Sequence, residues 1–241
     1  MILYILLIAH LVGDFFLQSS VMAEKKKKEF KFLFIHSIIY SAVFLVVCFI
    51  FLKPGYAALA MSVISVTHFI IDFVRIKINS KINNHTTDFI SFIVDQILHL
   101  GVIVAVYILM ELSIHNNSMF GMCVQYSGFN KFVLYGLLFT VLLNPASVFI
   151  KNLFIFLFNN ENDKSTTGMN AGSLIGKLER VITAILLLCN QYAVIGLVLT
   201  AKSIARFRQL EEKDFAEKYL IGTLLSLTIS LVSTLAIKGL M

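Results

Sequence analysis

Charge is scarce in this chain: 14% of its 241 residues are Asp, Glu, Lys or Arg, against roughly 25% in an ordinary soluble domain. Proline is nearly missing, with 2 residues, and the 3 cysteines (Cys48, Cys123 and Cys189) stand far apart without CxxC or CxxH spacing. These shortages exclude a collagenous or disordered chain, a disulfide framework and a thiolate zinc site. Acidic residues are outnumbered 14 to 20, leaving a net charge of +6. The main basic run, Lys25 to Lys28, directly follows an apolar stretch. Cations there mark the cytoplasmic end of a membrane span, so no nucleic-acid partner is expected.

What the chain has in abundance is apolar surface: 58% hydrophobic residues, 22 Phe and a mean hydropathy of +0.86. A domain of this size cannot hide several apolar stretches of about 20 residues in one core. Barrel-type strands of alternating polarity are missing, so the expectation is an all-α, polytopic transmembrane helical bundle of about 6–7 spans. The spans read as 1–19, 32–52, 56–76, 89–113, 131–158 and 219–238, with an ambiguous stretch at 174–200. The first span has no basic n-region and a lysine run just after Ala23, so it is expected to remain in the mature protein.

Lys25–Lys31 and Arg75–Lys81 are the basic loops, which places them in the cytoplasm. Simple alternation then sends the 159–173 loop inside and the basic 201–218 segment outside, against the usual distribution. Either 174–200 dips in and returns, breaking at Asn190-Gln191-Tyr192, or its acidic neighbours make 201–218 a mixed-charge external segment. Residues 1–113 form a four-span N-terminal core and 114–241 a C-terminal membrane region. A weak repeat relates His10-Leu-Val-Gly-Asp14-Phe to His68-Phe-Ile-Ile-Asp72-Phe, as duplicated helical hairpins would.

The informative residues are polar ones inside the spans: His10, Asp14 and Gln18, then His36, then His68 and Asp72, then Asp95, Gln96 and His99. The pairs 10/14, 68/72 and 95/99 have i,i+4 spacing, which brings imidazole and carboxylate onto one helical face. A carboxylate at the bilayer centre costs about 2.5–3.5 kcal/mol on insertion scales, so such groups face the bundle interior and mark function. Asp14, His36, Asp72 and Asp95 share one depth near the cytoplasmic ends of their spans. Four imidazoles and three carboxylates there suit one or two ions of Zn, Mn or Fe. His10, Asp14, His36, His68, Asp72, Asp95 and His99 are the candidate ligands, and Gln18 and Gln96 would orient them. The competing reading is a set of interhelical hydrogen bonds, worth about 0.6 kcal/mol each.

A second set, Arg180, Lys202 and Arg206, is a candidate anion site, because Lys202 and Arg206 are again i,i+4. Cations at span ends also snorkel to lipid headgroups with no dedicated ligand. His85 and His115 read as loop residues, and Asp88 as the N-cap of the fourth span.

The series His10-x-x-Gly-Asp14-Phe-x-x-Gln18, His68-x-x-x-Asp72, Asp95-Gln96-x-x-His99, Leu174-Ile-Gly-x-Leu-Glu-Arg180, Ala201-Lys-Ser-Ile-Ala-Arg-Phe207 and Leu220-Ile-Gly-Thr-Leu-Leu-Ser226 resembles a bacterial integral-membrane family defined as a domain of unknown function. The resemblance implies a location in the bacterial inner (plasma) membrane and no established activity. Its intramembrane His/Asp motifs are also similar in general look to membrane-bound metal-dependent hydrolases.

Three functions therefore stand at this stage. The first is a membrane-embedded metal-dependent hydrolase acting on a lipid or lipid-linked anionic substrate, with Asp14, Asp72 or Asp95 as general base. The second is a metal-ion or proton-coupled transporter or channel. The third is a non-catalytic membrane anchor or effector that recruits a partner through 201–218; membrane lipids, a homo-oligomer or a membrane-complex partner are the expected associations.

Overall fold

The computed structural model describes residues 1–82, 84–158 and 171–241, and the regular elements among them are helical. Helix α1 (Ile2–Leu11) runs into a π-helical turn (Val12–Phe16), followed by α2 (Ser20–Lys25), α3 (Phe30–Phe51), α4 (Pro54–Lys81) and α5 (His85–Leu109). Then come α6 (Ser118–Gln125), α7 (Phe129–Phe158), α8 (Ala171–Leu188), α9 (Tyr192–Ala205), a 3₁₀ turn (Phe207–Glu211) and α10 (Lys213–Gly239). Most of the loop expected at 159–173 lies outside the described residues.

Five helices, α3, α4, α5, α7 and α10, are long and apolar enough to cross a membrane. The stretches Ile2–Phe16 and Tyr192–Ala205 are apolar but shorter. The 6–7 spans expected from hydropathy thus comprise five full-length helices and shorter ones. Local chemistry sets the boundaries. Pro54 opens α4, where its missing N–H costs nothing. Asn84 caps α5 by accepting from the Thr86 N–H at 3.2 Å, whereas Asp88, expected as that cap, lies one turn inside. His85 accordingly begins the helix, and His115 stacks on Tyr56 with ring centroids 3.7 Å apart.

The chain divides into two compact units, with α7 supplying residues to both. In the first unit α1 packs against α3 and α5, and α4 packs against the same two helices, closing a ring of four. Each contributes one inward stripe at three- and four-residue spacing: Ile2, Leu6, Ala9 and His10 on α1, Leu33, His36, Tyr40, Phe44 and Cys48 on α3, Ala57, Ala60, Ile64, His68 and Asp72 on α4, and Phe92, Asp95, His99, Ile103 and Val106 on α5. One end of this interior is filled by apolar side chains and the other by imidazoles and carboxylates. Outward positions are apolar, among them Phe34, Ile38, Val66, Ile70, Ile97 and Leu98. A polar interior behind an apolar exterior inverts the soluble pattern and fits lipid as the surrounding solvent.

In the second unit α8 and α9 form an antiparallel helical hairpin. Its closure is fixed by Lys202 Nζ donating to Glu179 Oε2 at 2.7 Å, and its tip holds Asn190 at φ 59°. This left-handed residue falls within the expected break, and Asn tolerates the conformation better than most. Helix α10 runs parallel to α8, as the contacts Arg180–Ser226 and Asn190–Lys238 require. A hairpin returns the chain to the end at which α8 began. Such a return is the form that the in-and-out alternative for 174–200 requires.

Candidate metal centre

The polar end of the four-helix ring is built around Asp14. The π-helical turn that carries it alters its direction relative to His10, a distortion that recurs at functional sites. Consequently Asp14 pairs across helices and not within its own. His36 Nε2 lies 3.1 Å and His68 Nε2 3.0 Å from Asp14 Oδ1, so two imidazoles from α3 and α4 meet one carboxylate oxygen. Gln96 Nε2 donates to Asp14 Oδ2 at 3.1 Å. Asp72 Oδ2 stands 3.5 Å from His36 Nε2, tying a second carboxylate to the same imidazole.

Alongside lies a second group. Ligand atoms of Asp72, Asp95 and His99 fall within 4.8 Å of one another, as do those of Asp14, His36 and His68. His99 Nδ1 lies 2.8 Å from the Asp95 carbonyl oxygen and therefore donates to it, which leaves the Nε2 lone pair buried and without a partner. This is the tautomer and support of a metal-ligating imidazole. His36 Nδ1, His68 Nδ1 and Asp95 Oδ1 are also buried and unpartnered. His10 stands one layer further in: Nδ1 is 3.1 Å from the Tyr40 hydroxyl and Nε2 3.4 Å from Gln96 Oε1. Gln18, with its amide turned to satisfy both neighbours, donates to the Asp14 carbonyl at 3.1 Å and accepts from Lys26 at 3.0 Å.

Four participants escaped the sequence reading. Lys26 Nζ donates to Asp72 Oδ2 at 2.9 Å, and Arg75 Nη1 to Asp95 Oδ2 at 3.1 Å. In the sequence both stand in the basic loops that set the orientation. Tyr40 lies face to face with His68, ring centroids 3.6 Å apart, while bonding His10. Its position four residues after His36 was the available signal. Gly13 leaves room for that ring, since a Cβ there would stand 2.8 Å from Tyr40 Cδ2.

The residues fit a divalent ion. Three ligand atoms from three helices converge at about the separation that bonds of roughly 2.0–2.2 Å to one centre impose, and the orphaned His99 Nε2 offers a further donor. Two resident cations stand beside the three carboxylates, Lys26 on Asp72 and Arg75 on Asp95.

The C-terminal cations stand elsewhere. Arg180 is buried and makes four hydrogen bonds: Nε donates to the Leu142 carbonyl at 2.6 Å, Nη2 to the Leu143 carbonyl and Ser147 Oγ at 3.3 and 2.5 Å, and Nη1 to Ser226 Oγ at 3.3 Å. Lys202 is held by Glu179 and by Thr223 at 3.0 Å, and Arg206 lies 5.7 Å over the Tyr219 ring. The structure thus gives Arg180, Lys202 and Arg206 protein partners, and it brings Lys202, 5.0 Å over the same ring, and Arg206 together at Tyr219.

A ring of apolar-faced helices around buried His and Asp side chains defines a multi-pass membrane protein with an intramembrane polar site. The chain belongs to the family described as "Protein of unknown function (DUF3307)", whose model matches residues 2–125. That match takes in α1 to α6 and every side chain of the cluster, and the C-terminal motifs lie beyond it. No curated protein and no solved structure matches the chain.

Proposed function

We propose that the four-helix ring is a membrane-embedded metal centre, and that its chemistry is hydrolysis of a lipid or lipid-linked anionic substrate. The observation that supports it is the convergence of His36 Nε2 and His68 Nε2 on Asp14 Oδ1 at 3.1 and 3.0 Å within a buried, apolar-walled interior. Asp14, His36 and His68 would hold one ion and Asp72, Asp95 and His99 a second. Bound there, a divalent ion supplies Lewis-acid polarisation and eases deprotonation of water. Gln96 orients Asp14, and Arg75 orients Asp95. Asp95 Oδ1, the oxygen without a protein donor, would serve as its ligand atom in the second group, and a carboxylate left off the metal would act as general base. The bilayer brings a lipid substrate to this depth without a soluble carrier.

Metal analysis and turnover test this reading. Purified protein should hold one or two equivalents of Zn, Mn or Fe, and the His36→Ala/His68→Ala variant should hold less. Hydrolysis of lipid phosphate or ester substrates in detergent should depend on that metal. A wild-type protein free of transition metal after purification and after reconstitution would refute the centre; a loaded protein inert toward all such substrates would refute the hydrolase.

One observation favours a second reading, cation or proton passage. His10, Gln96, Asp14, His36, Asp72 and Lys26 form a connected polar series, each step between 2.9 and 3.5 Å, in which both carboxylates face His36 Nε2. Intramembrane carboxylate and imidazole chains of this kind carry protons in pumps. Metal-dependent flux into proteoliposomes by a variant without hydrolytic turnover would select it.

A further inference from the structure

The end of α2 delivers an ammonium group into the cluster. Ser19 caps α2 by accepting from the Met22 N–H at 3.2 Å, and the helix closes on Lys26. The Lys26 side chain is 10% exposed and that of Asp72 3% exposed, with 2.9 Å between Nζ and Oδ2. Gln18 Oε1 grips the same ammonium at 3.0 Å. Two acceptors therefore fix the lysine, so its position is built and not incidental. Neighbouring lysines do otherwise: Lys25 lies 5.0 Å over the Phe32 ring, and Lys28 is exposed.

Asp72 is the carboxylate shared between the two candidate ion positions. Its Oδ2 is 3.5 Å from His36 Nε2 in the first group, and it belongs with Asp95 and His99 in the second. Resting on the metal-centre reading, we propose that Lys26 is a tethered cation that competes with the second metal ion for Asp72. Lys26 then decides how many ions the centre holds. With Lys26 docked, Asp14, His36 and His68 bind one ion, and the Asp72 charge is already compensated. Release of Lys26 frees that oxygen to ligate beside Asp95 and His99. The long side chain starts near the end of the bundle, so the released ammonium can swing outward to water or to lipid phosphates.

The competition has a quantitative form. When a site is available only for the fraction of time its internal competitor is away, apparent affinity falls by that fraction. A Lys26 docked about ten times more often than released therefore weakens the second ion about tenfold. Removing the ammonium should restore that factor, and moving it should not.

The test is a Mn²⁺ and Zn²⁺ titration of the detergent-solubilised full chain by calorimetry, with metal counted after desalting. The wild type should bind one ion tightly and a second weakly. Lys26→Met should bind the second about tenfold more tightly, with the first unchanged. Lys26→Arg and Lys28→Met should behave as wild type, the latter removing an equal charge from the same loop without touching Asp72. First-ion binding with a second-ion affinity identical in Lys26→Met and wild type would overturn the inference and leave the metal centre standing. No ion in either protein would overturn both. Amine-directed acetylation of the wild type gives an answer should Lys26→Met fail to fold. Saturating Mn²⁺ should raise labelling of Lys26 several-fold relative to Lys28, and unchanged labelling would contradict the competition.

Discussion

Asp14 and His36 meet at 3.1 Å across two helices, from positions 22 residues apart in the chain. The contact joins the π-helical turn after α1 to the inward stripe of α3, and His68 adds a second imidazole to the same oxygen. Asp14→Asn keeps the shape and removes the charge. It should reduce metal affinity by at least about tenfold, a loss of about 1.4 kcal/mol, with little change in thermal unfolding. Calorimetric titration beside a melting curve in detergent measures both.

Gly13 is needed for space. A methyl group there would press on the Tyr40 ring at 2.8 Å, and overpacking of this kind costs about 1–3 kcal/mol. Gly13→Ala should lower the unfolding temperature of the full chain and weaken metal binding together, because the same ring lies on His68 and bonds His10. A variant as stable as wild type would show that the ring moves aside freely.

Tyr40 separates packing from hydrogen bonding. Tyr40→Phe removes only the hydroxyl facing His10 and should cost about 0.5–1.5 kcal/mol. Tyr40→Ala empties a fully buried site and should cost about 3–5 kcal/mol. Chemical unfolding of both in detergent gives the ratio, and equal losses would contradict the division.

Arg180 holds the second unit by satisfying two backbone carbonyls and two serine hydroxyls near Pro145. Arg180→Leu removes these four bonds, though Ser147 Oγ still donates to the Leu143 carbonyl at 2.7 Å, and costs about 1–3 kcal/mol for each group left unpaired that water does not reach. Its melting temperature should fall well below that of Arg180→Lys, which keeps one donor group of the same charge. Similar melting of the two variants would argue against the multidentate role.

The hairpin α8–α9 makes a topological prediction. In a chain with Cys48, Cys123 and Cys189 replaced, cysteines introduced at Ser173 and Gln209 should react with an impermeant maleimide from the same side of sealed vesicles. Reaction from opposite sides would mean that the segment crosses once.

Helical class and span positions were readable because a membrane span needs only length and hydropathy, both properties of consecutive residues. The depth shared by Asp14, His36, Asp72 and Asp95 was equally visible, since it follows from distance to the span ends. The partners were not. Spacing of i,i+4 suggested His–Asp pairs within each helix, yet Asp14 takes its imidazoles from α3 and α4 because the π-helical turn redirects it. Lys26 and Arg75 read from the sequence as cytoplasmic-loop cations, and only their side-chain contacts set them among the carboxylates. Hydropathy also could not separate one crossing from an in-and-out passage at 174–200, because the turn that folds α9 back beside α8 rests on the left-handed backbone of Asn190, which an apolar average does not register.

The central claim is a metal ion among Asp14, His36 and His68. Anomalous diffraction at the Zn or Mn edge, from crystals of protein loaded with that ion, tests it most directly. The expected result is a peak about 2.0–2.2 Å from His36 Nε2, His68 Nε2 and a carboxylate oxygen of Asp14, lost in crystals of Asp14→Asn. A map with no anomalous peak there, the two imidazoles still donating to Asp14, would contradict it.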